Sequence, residues 1–278
     1  MSAGPAAADG GGGTVGGAER RDAIAALLHG SPLSVEDLAT RFRVSPSTVR
    51  RDLALLSSSH PIVRTYGGAV HLAPFHEKSL AERVPIAATE KQAIGLLAAS
   101  FVLPGQRVVL DGGTTVGALA GQLAGVGDLT VLTNSLTAVR VLEHDPQVEL
   151  VLLGGTLRRV SSATIGPLAE AVLADATADA AFLGADSLDA ARGLLERDQQ
   201  QASLKRAMLR AVREPYVLVD SSKLGQGGAG WWARLDAPWH LVTDDGATEA
   251  QLAPFRDLPG VQVHLAPRAV GAQEAARP

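Results

Sequence analysis

A chain of 278 residues that is 46% hydrophobic can bury a core of ordinary size, with room for a small domain beside a larger one. It contains no cysteine, which excludes disulfides, thiolate metal sites and cysteine nucleophiles. The formal net charge of −4 averages unlike regions, and no apolar run reaches the roughly 20 residues needed to cross a bilayer. Nor does the N-terminus show a charged region followed by an apolar one. The composition is that of a cytoplasmic protein without a membrane partner.

Residues 1–18 are mostly Gly and Ala, can bury little, and read as a disordered tail. In the next segment, 19–72, Arg20, Arg21, Arg41, Arg43, Arg50, Arg51 and Arg64 outnumber Glu19, Asp22, Glu36, Asp37 and Asp52 by two. Placement matters more than that small excess. Ile24, Leu27 and Leu28 have helical spacing, which stops at Gly30. Ser34 is suited to cap a short second helix with Leu38 on its inner face. Ser45-Pro46 supplies the cap and first-turn proline of a third, in which Val49, Leu53 and Leu56 recur at i, i+4, i+7 and face a core. Ser45, Ser47, Thr48, Arg50 and Arg51 then cluster on the outer face near the N-terminal end, as in a helix that enters the major groove of double-stranded DNA. Arginine can fork onto guanine or hold a phosphate, and Ser or Thr suits either role. Asp52, a carboxylate among these arginines, is expected to hold a structural ion pair, since it would repel phosphate. Two β-type runs around Gly67-Gly68 read as a hairpin, a wing whose Arg64 reaches a flanking phosphate or the minor groove. A small helical bundle with solvated arginines is the plainer alternative; the agreement of cap, turn and arginine position favours the DNA reader.

Residues 73–89, with Pro74 and Pro85, read as a connection. A helix is expected from Glu90 to Phe101. Beyond it, strands are expected at Arg107–Asp111, Leu129–Thr133, Glu149–Leu153, Ala180–Gly184, Tyr216–Asp220, His240–Thr243 and Val261–Leu265. Helices are expected at Val116–Leu123, Leu136–Glu143, Pro167–Ala174, Gln199–Arg213 and Thr248–Phe255. Strands rich in Val and Leu, separated by helices, describe a mostly parallel sheet covered on both faces, spanning 90–268 before a second tail at 269–278.

Ligands of such sheets bind beyond the carboxyl ends of the strands. Polar and glycine residues collect there: Asp111, Gly113, Thr114 and Thr115 after one strand, Thr133, Asn134 and Ser135 after the next, Gly154 and Gly155 after the third. Gly184 ends another, and Asp220 and Lys223 follow a fifth. Close-approaching backbone, hydroxyl donors and a lysine make a phosphate site. Thr114, Thr115, Asn134, Ser135 and Lys223 are expected around the phosphate. Backbone N–H groups near Gly113 and Gly155 complete the cradle, and Asp111 and Asp220 stand nearer sugar hydroxyls. Neither a Gly-x-x-x-x-Gly-Lys-(Ser/Thr) loop nor a dinucleotide Gly-x-Gly-x-x-Gly is present. The seven histidines are scattered and no metal is expected. Arg158-Arg159 can assist a phosphate or sit solvated in a loop, and Trp231-Trp232 reads as core or subunit packing.

Three strings together carry a family resemblance: Leu33-Ser34-Val35-Glu36-Asp37-Leu38-Ala39, then Val44-Ser45-Pro46-Ser47-Thr48-Val49-Arg50-Arg51-Asp52-Leu53, then Arg64-Thr65-Tyr66-Gly67-Gly68-Ala69. The chain resembles the DeoR family of sugar-metabolism regulators. The resemblance extends to Asp111–Thr115, Thr133–Ser135, Gly154-Gly155 and Asp220–Lys223. The chain departs from the family pattern at Leu194-Leu195-Glu196 and Gln201-Ala202. What the resemblance implies is an N-terminal winged helix-turn-helix and a C-terminal α/β sensor domain similar to ribose-phosphate isomerases and CoA transferases. It further implies a repressor of carbohydrate-metabolism genes, with a phosphorylated sugar or sugar alcohol as effector and no other cofactor. Two-fold operators call for an even-numbered homo-oligomer, a homodimer or homotetramer. An isomerase or acyl transferase bearing a DNA-binding appendage is the competing reading, with Asp111, Glu196 and Lys205 as its reactive groups, and an architectural DNA binder without a ligand is a third.

Overall fold

The computed structural model describes Gly17, Arg20, Arg21, Ala23 and Ile24 and residues 33–59, 62–65, 68–71, 77–236 and 238–267. The expected tails at 1–18 and 269–278, apart from Gly17, lie outside the described residues, as do Leu27, Leu28 and Gly67. The chain divides into two compact units, at His76 and Glu77.

In the first unit, helix α1 (Val35–Phe42) starts where the Ser34 hydroxyl accepts the Asp37 N–H at 3.0 Å. It ends at Arg43, whose left-handed backbone (φ 52°) returns its N–H to the Ala39 and Thr40 carbonyls. Helix α2 (Pro46–Ser59) follows, with Val49, Leu53 and Leu56 packed on Ile24, Val35, Leu38 and Ala39. Three short strands complete the unit: β1 (Leu33–Ser34), β2 (Ile62–Thr65) and β3 (Gly68–His71), antiparallel in the order β1-β3-β2. This is a winged helix-turn-helix. The wing is therefore three-stranded rather than a lone hairpin.

The second unit starts at Glu77, earlier than the expected residue 90. Part of the expected connection is a capped helical turn, α3 (Leu80–Arg83), in which Ser79 and Glu82 cap each other's backbone. Helix α4 (Ala88–Ala99) follows. All seven expected strands form one parallel sheet: β4 (Arg107–Leu110), β5 (Leu129–Thr133), β6 (Val148–Leu152), β9 (Ala178–Leu183), β12 (Val212–Leu218), β14 (Trp239–Asp244) and β15 (Val261–Ala266), in the order β15-β14-β12-β9-β4-β5-β6.

Alternation along the strands builds two cores. Val109, Ala181, Leu183 and Val217 face one side, where α7 (Pro167–Ala174), α8 (Gln199–Arg210) and α9 (Glu249–Arg256) bring Leu173, Met208 and Phe255. Val108, Leu110, Phe182 and Leu218 face the other, against Ile94 of α4, Leu119 of α5 (Thr114–Ala120) and Leu142 of α6 (Leu136–Leu142). Helix α8 is shorter than expected, because Val212 already pairs with Ala178 and starts β12. Two small antiparallel additions were not anticipated. One is the hairpin β7 (Thr156–Arg158) with β8 (Ala163–Ile165). The other is a sheet of β10 (Ser187–Asp189), β11 (Gly193–Glu196) and β13 (Trp231–Ala233). Trp231 is half-exposed in that sheet, and Trp232 lies under the Arg192 guanidinium at 4.5 Å, so the pair is not core.

Strand order locates the ligand crevice. From β4 the chain steps outward to β5 and β6, then returns to β4's other side with β9 and continues the opposite way. The reversal lies between β4 and β9, and their carboxyl ends, Asp111–Gly113 and Gly184–Asp186, flank the gap where such sheets bind ligands.

Candidate functional site

The outer face of α2 carries Ser45, Ser47, Arg50 and Arg51, all exposed, with Thr48 half-exposed. Ser45 Oγ lies 2.7 Å from Ser47 Oγ and 2.8 Å from Thr48 Oγ1 and accepts the Thr48 N–H, fixing the start of the helix. Arg50 has only a 4.0 Å approach to exposed Glu36, a weak surface pair. Asp52 behaves differently from its neighbours: it is buried, and its carboxylate holds Arg20 Nε at 2.7 Å and Arg21 Nη1 at 3.7 Å. It joins the first helical residues to α2, the structural role its charge implied. Arg64 lies in β2, and its side chain is outside what the structure describes.

At the crevice of the second unit, Asp111 is buried. Its Oδ1 accepts the Gly112 N–H at 2.7 Å, and its Oδ2 accepts the Gly184 N–H at 3.2 Å and the Lys205 ammonium. Lys205 also donates to the Gly184 carbonyl at 2.7 Å and stands 3.2 Å from Glu196 Oε1. So Asp111, Glu196 and Lys205, far apart in sequence, meet across the reversal point. Each is at least 95% buried. Burial would depress the Lys205 ammonium, but Asp111 and Glu196 together hold it above its ordinary value. Glu196 is pushed up to about 8 by burial, against the pull of Lys205, with Asp186 and Asp111 adding to the rise.

A pH dependence follows. Because the folded value of Glu196 lies above the ordinary 4.5, its contribution is greatest below that value and declines as pH rises from about 4.5 to about 8. Glu196→Gln should remove this slope, so the variant gains on the wild type between about pH 5 and pH 8 in urea denaturation. Parallel pH profiles for the two proteins would refute the assignment.

The sequence-expected residues fall at the carboxyl ends of five adjacent strands, β12, β9, β4, β5 and β6. Their side chains divide by role. Thr133 donates to the Leu110 carbonyl at 2.7 Å and accepts the Ser135 N–H at 3.0 Å, while Ser135 caps α6 through Ala138. Thr133 is thereby committed to holding the strand ends, whereas Ser135 accepts in its cap and keeps its hydroxyl proton to donate. Asn134 donates through Nδ2 to the Thr164 carbonyl at 3.1 Å, which orients the amide. Its Oδ1 is left buried without a hydrogen-bond partner among the described residues. An open acceptor calls for a donor, such as a hydroxyl; a phosphate dianion has none to give. Gly113 has φ +138° and nothing within 4 Å of where a Cβ would stand, so its backbone faces open space, with Thr114 and Thr115 opening α5. Gly155 (φ +118°) serves packing instead: a Cβ there would meet the Ile165 carbonyl oxygen at 2.3 Å. Gly154 beside it is exposed.

Asp220 is buried and accepts the Ser222 hydroxyl. Lys223 Nζ donates to the Ala185 carbonyl at 2.8 Å and stands 4.0 Å from Asp220 Oδ2. The lysine thus reaches the end of β9, two strand positions from β5, or roughly 10 Å. Asn134 and Ser135 thus stand at the end of β5 while Lys223 reaches the end of β9, so a ligand that meets all three spans two strand positions. Three cations were missed by the sequence reading of the site. Arg83 approaches Asp186 at 3.7 Å, and so does Arg197 at 3.8 Å. Lys91 donates to the Arg83 and Ile86 carbonyls. The Ser-x-x-Glu string at Ser79–Glu82 was the available signal for the turn that carries Arg83. Arg158, a possible phosphate helper, is instead engaged by Glu77, with Nη1 2.9 Å from Oε1.

A winged helix-turn-helix joined to a separate α/β unit with a polar crevice defines the class: a DNA-binding regulator with its own sensor domain. Residues 20–74 match the model of the DeoR-like helix-turn-helix domain, and residues 86–245 match that of the DeoR C terminal sensor domain. The chain belongs to the DeoR family of transcriptional regulators; it is a regulator, not an enzyme. It is 34% identical over 255 residues to a putative aga operon transcriptional repressor of Escherichia coli O157:H7, covering 90% of this chain and 94% of that one. It is 35% identical over 214 residues to the transcriptional repressor GlcR of Bacillus subtilis, covering 76% and 82%. With the regulator GlpR of Haloferax volcanii the identity is 32% over 249 residues, covering 88% and 96%. Among solved structures, ribose 5-phosphate isomerase A of Methanocaldococcus jannaschii is similar over 49% of this chain and 54% of that one, with 19% identity and a TM-score of 0.37. Among the described residues, no helix is long and apolar enough to cross a membrane.

Proposed function

We propose that the chain is a cytoplasmic repressor of carbohydrate-metabolism genes, and that its hold on a double-stranded DNA operator responds to a phosphorylated sugar or sugar alcohol. The observation that carries this is a crevice with unlike ends: Lys223 toward one side, and the open acceptor of Asn134 about two strand positions away. A ligand with a phosphate at one end and hydroxyls at the other matches both. Gly113, Thr114 and Thr115 line the space between, with Asp111 and Asp220 behind it and Gly154-Gly155 at its rim. On the DNA side, Ser45, Ser47, Thr48, Arg50 and Arg51 read the major groove and Arg64 reaches from the wing. The names of the aga repressor, GlcR and GlpR are in keeping with such a role. A homodimer or homotetramer suits a two-fold operator, and light scattering on the whole chain reads this directly.

The test is a thermal-shift screen of hexose, pentose and sugar-alcohol phosphates, each beside its unphosphorylated form, followed by gel shifts with every hit. At least one phosphorylated compound should stabilise the chain and alter DNA binding, and its bare counterpart should not. Equal effects of the two forms, or none from any phosphate, would sink the reading. Lys223→Ala should weaken the effective compound by roughly ten- to a hundredfold, the value of a charge-assisted hydrogen bond, while leaving effector-free DNA binding intact. Titration calorimetry and a gel shift measure the two halves.

A further inference from the structure

We infer that Arg83 is an anion-binding residue of the crevice, and that its grip on a phosphate fastens residues 77–89, the start of the second unit, onto the occupied site. This rests on the proposal that the crevice takes a phosphorylated ligand. The backbone of the stretch is already anchored. Glu77 is paired with Arg158, the Leu80 N–H donates to the Val160 carbonyl at 2.7 Å, and Lys91 binds the Arg83 carbonyl at 2.6 Å. None of these contacts uses the Arg83 guanidinium.

That guanidinium is poorly satisfied where it lies. Nη1 is 3.7 Å from Asp186 Oδ1, beyond hydrogen-bond reach, and Nε and Nη2 are buried without a hydrogen-bond partner among the described residues. Arginine cannot shed its charge, so two unpaired buried donors are a standing cost to the fold. The neighbourhood adds more positive charge. Lys91 and Lys223 are near enough to Arg83 and to each other for like-charge repulsion to be felt, with Asp186 and Asp220 between them. Burial first, and then the repulsion of Lys223 and Arg83, lowers Lys91 to about 8, and burial together with Arg83 lowers Lys223. Arg83, Lys91 and Lys223, with Arg197 also on Asp186, crowd positive charge around Asp186 and Asp220, and an added dianion relieves that crowding. The unpaired Nε and Nη2 lie on one edge of a planar fork that matches two oxygens of a phosphate monoester.

The position of Arg83 gives such binding a consequence. It lies seven residues after His76, the last residue of the first unit. A phosphate held by Arg83 and Lys223 together ties this stretch to the end of β12, so effector occupancy alters how firmly residues 77–89 are seated within the second unit.

The experiment uses the whole chain with inorganic phosphate as probe, read by thermal unfolding and by hydrogen exchange of peptides covering 77–89, 111–118 and 219–226. Phosphate should raise the melting temperature and slow exchange in 77–89 as well as in 219–226. Arg83→Met should melt no lower than the wild type without phosphate, bind phosphate about tenfold more weakly, and lose the protection of 77–89 while keeping that of 219–226. Arg83→Lys, with the charge but not the fork, should fall between. If Arg83→Met melts lower without phosphate and binds it as the wild type does, Arg83 serves only the fold; the inference fails and the phosphate crevice stands. If phosphate protects no peptide of the wild type and no sugar phosphate in the screen stabilises it, both fail.

Discussion

Arg50→Ala and Arg51→Ala should each abolish specific operator binding at working concentrations while leaving the melting of both units unchanged. The two side chains are exposed on α2, and the ion pair of Arg50 with Glu36 is a surface contact at 4.0 Å that contributes little. Among the described residues, Val49, Leu53 and Leu56 supply the first unit's packing and Asp52 its buried ion pair. A lost base contact costs about 1–3 kcal/mol, and a lost phosphate contact also reduces the salt slope by about one. The measurement is fluorescence anisotropy across salt concentrations, on an operator selected from random duplexes by the wild-type chain. Wild-type affinity and salt slope in both variants would remove α2 from the groove. Asp52→Ala gives the contrasting pattern, because it removes the buried carboxylate that holds Arg20 and Arg21 to α2 and so acts on stability first.

The largest loss of stability should come from Lys205→Met. Removing the ammonium leaves Asp111 and Glu196 facing each other in a site closed to water, and breaking a buried charge pair typically costs about 3–5 kcal/mol. All three tryptophans, at 231, 232 and 239, lie in the second unit, so fluorescence in urea reports on it alone. The variant's midpoint should fall sharply, and adding Glu196→Gln should restore part of the loss by removing one of the stranded carboxyls. A midpoint equal to the wild type would show that the cluster is not what holds β4, β9, β11 and α8 together. The same cluster spends the lysine and the Asp111 carboxyl on each other and on the Gly184 backbone.

The seven parallel strands were legible because buried parallel strands must be apolar on both faces, and Val/Leu runs such as Arg107–Leu110 and Leu129–Thr133 have few other uses. The recognition helix was legible because its cap, core stripe and arginines are all local to a few turns. What sequence could not reveal was pairing at a distance. Lys205 and Asp111 are 94 residues apart, and only the strand order puts them in contact. Three-residue strands such as Thr156–Arg158 leave too short a run for alternation to register. Thr133 carries a hydroxyl of the kind a phosphate site wants, and nothing in its spacing shows that it is donated to the Leu110 carbonyl. Arg83 was passed over because the prolines around it made 73–89 look like plain linker, although Ser79 and Glu82 marked a helix start.

The reversal of strand order also sets a timetable for synthesis. The crevice needs β4 and β9 side by side, and β9 starts at Ala178, so a growing chain has no crevice until well past that point. The first unit, complete by His76, leaves the ribosome long before the sheet's last strand ends at Ala266. At typical elongation rates of about 5–20 residues per second, the interval is about 10–40 s. For that time the helix-turn-helix unit has been made and the crevice has not.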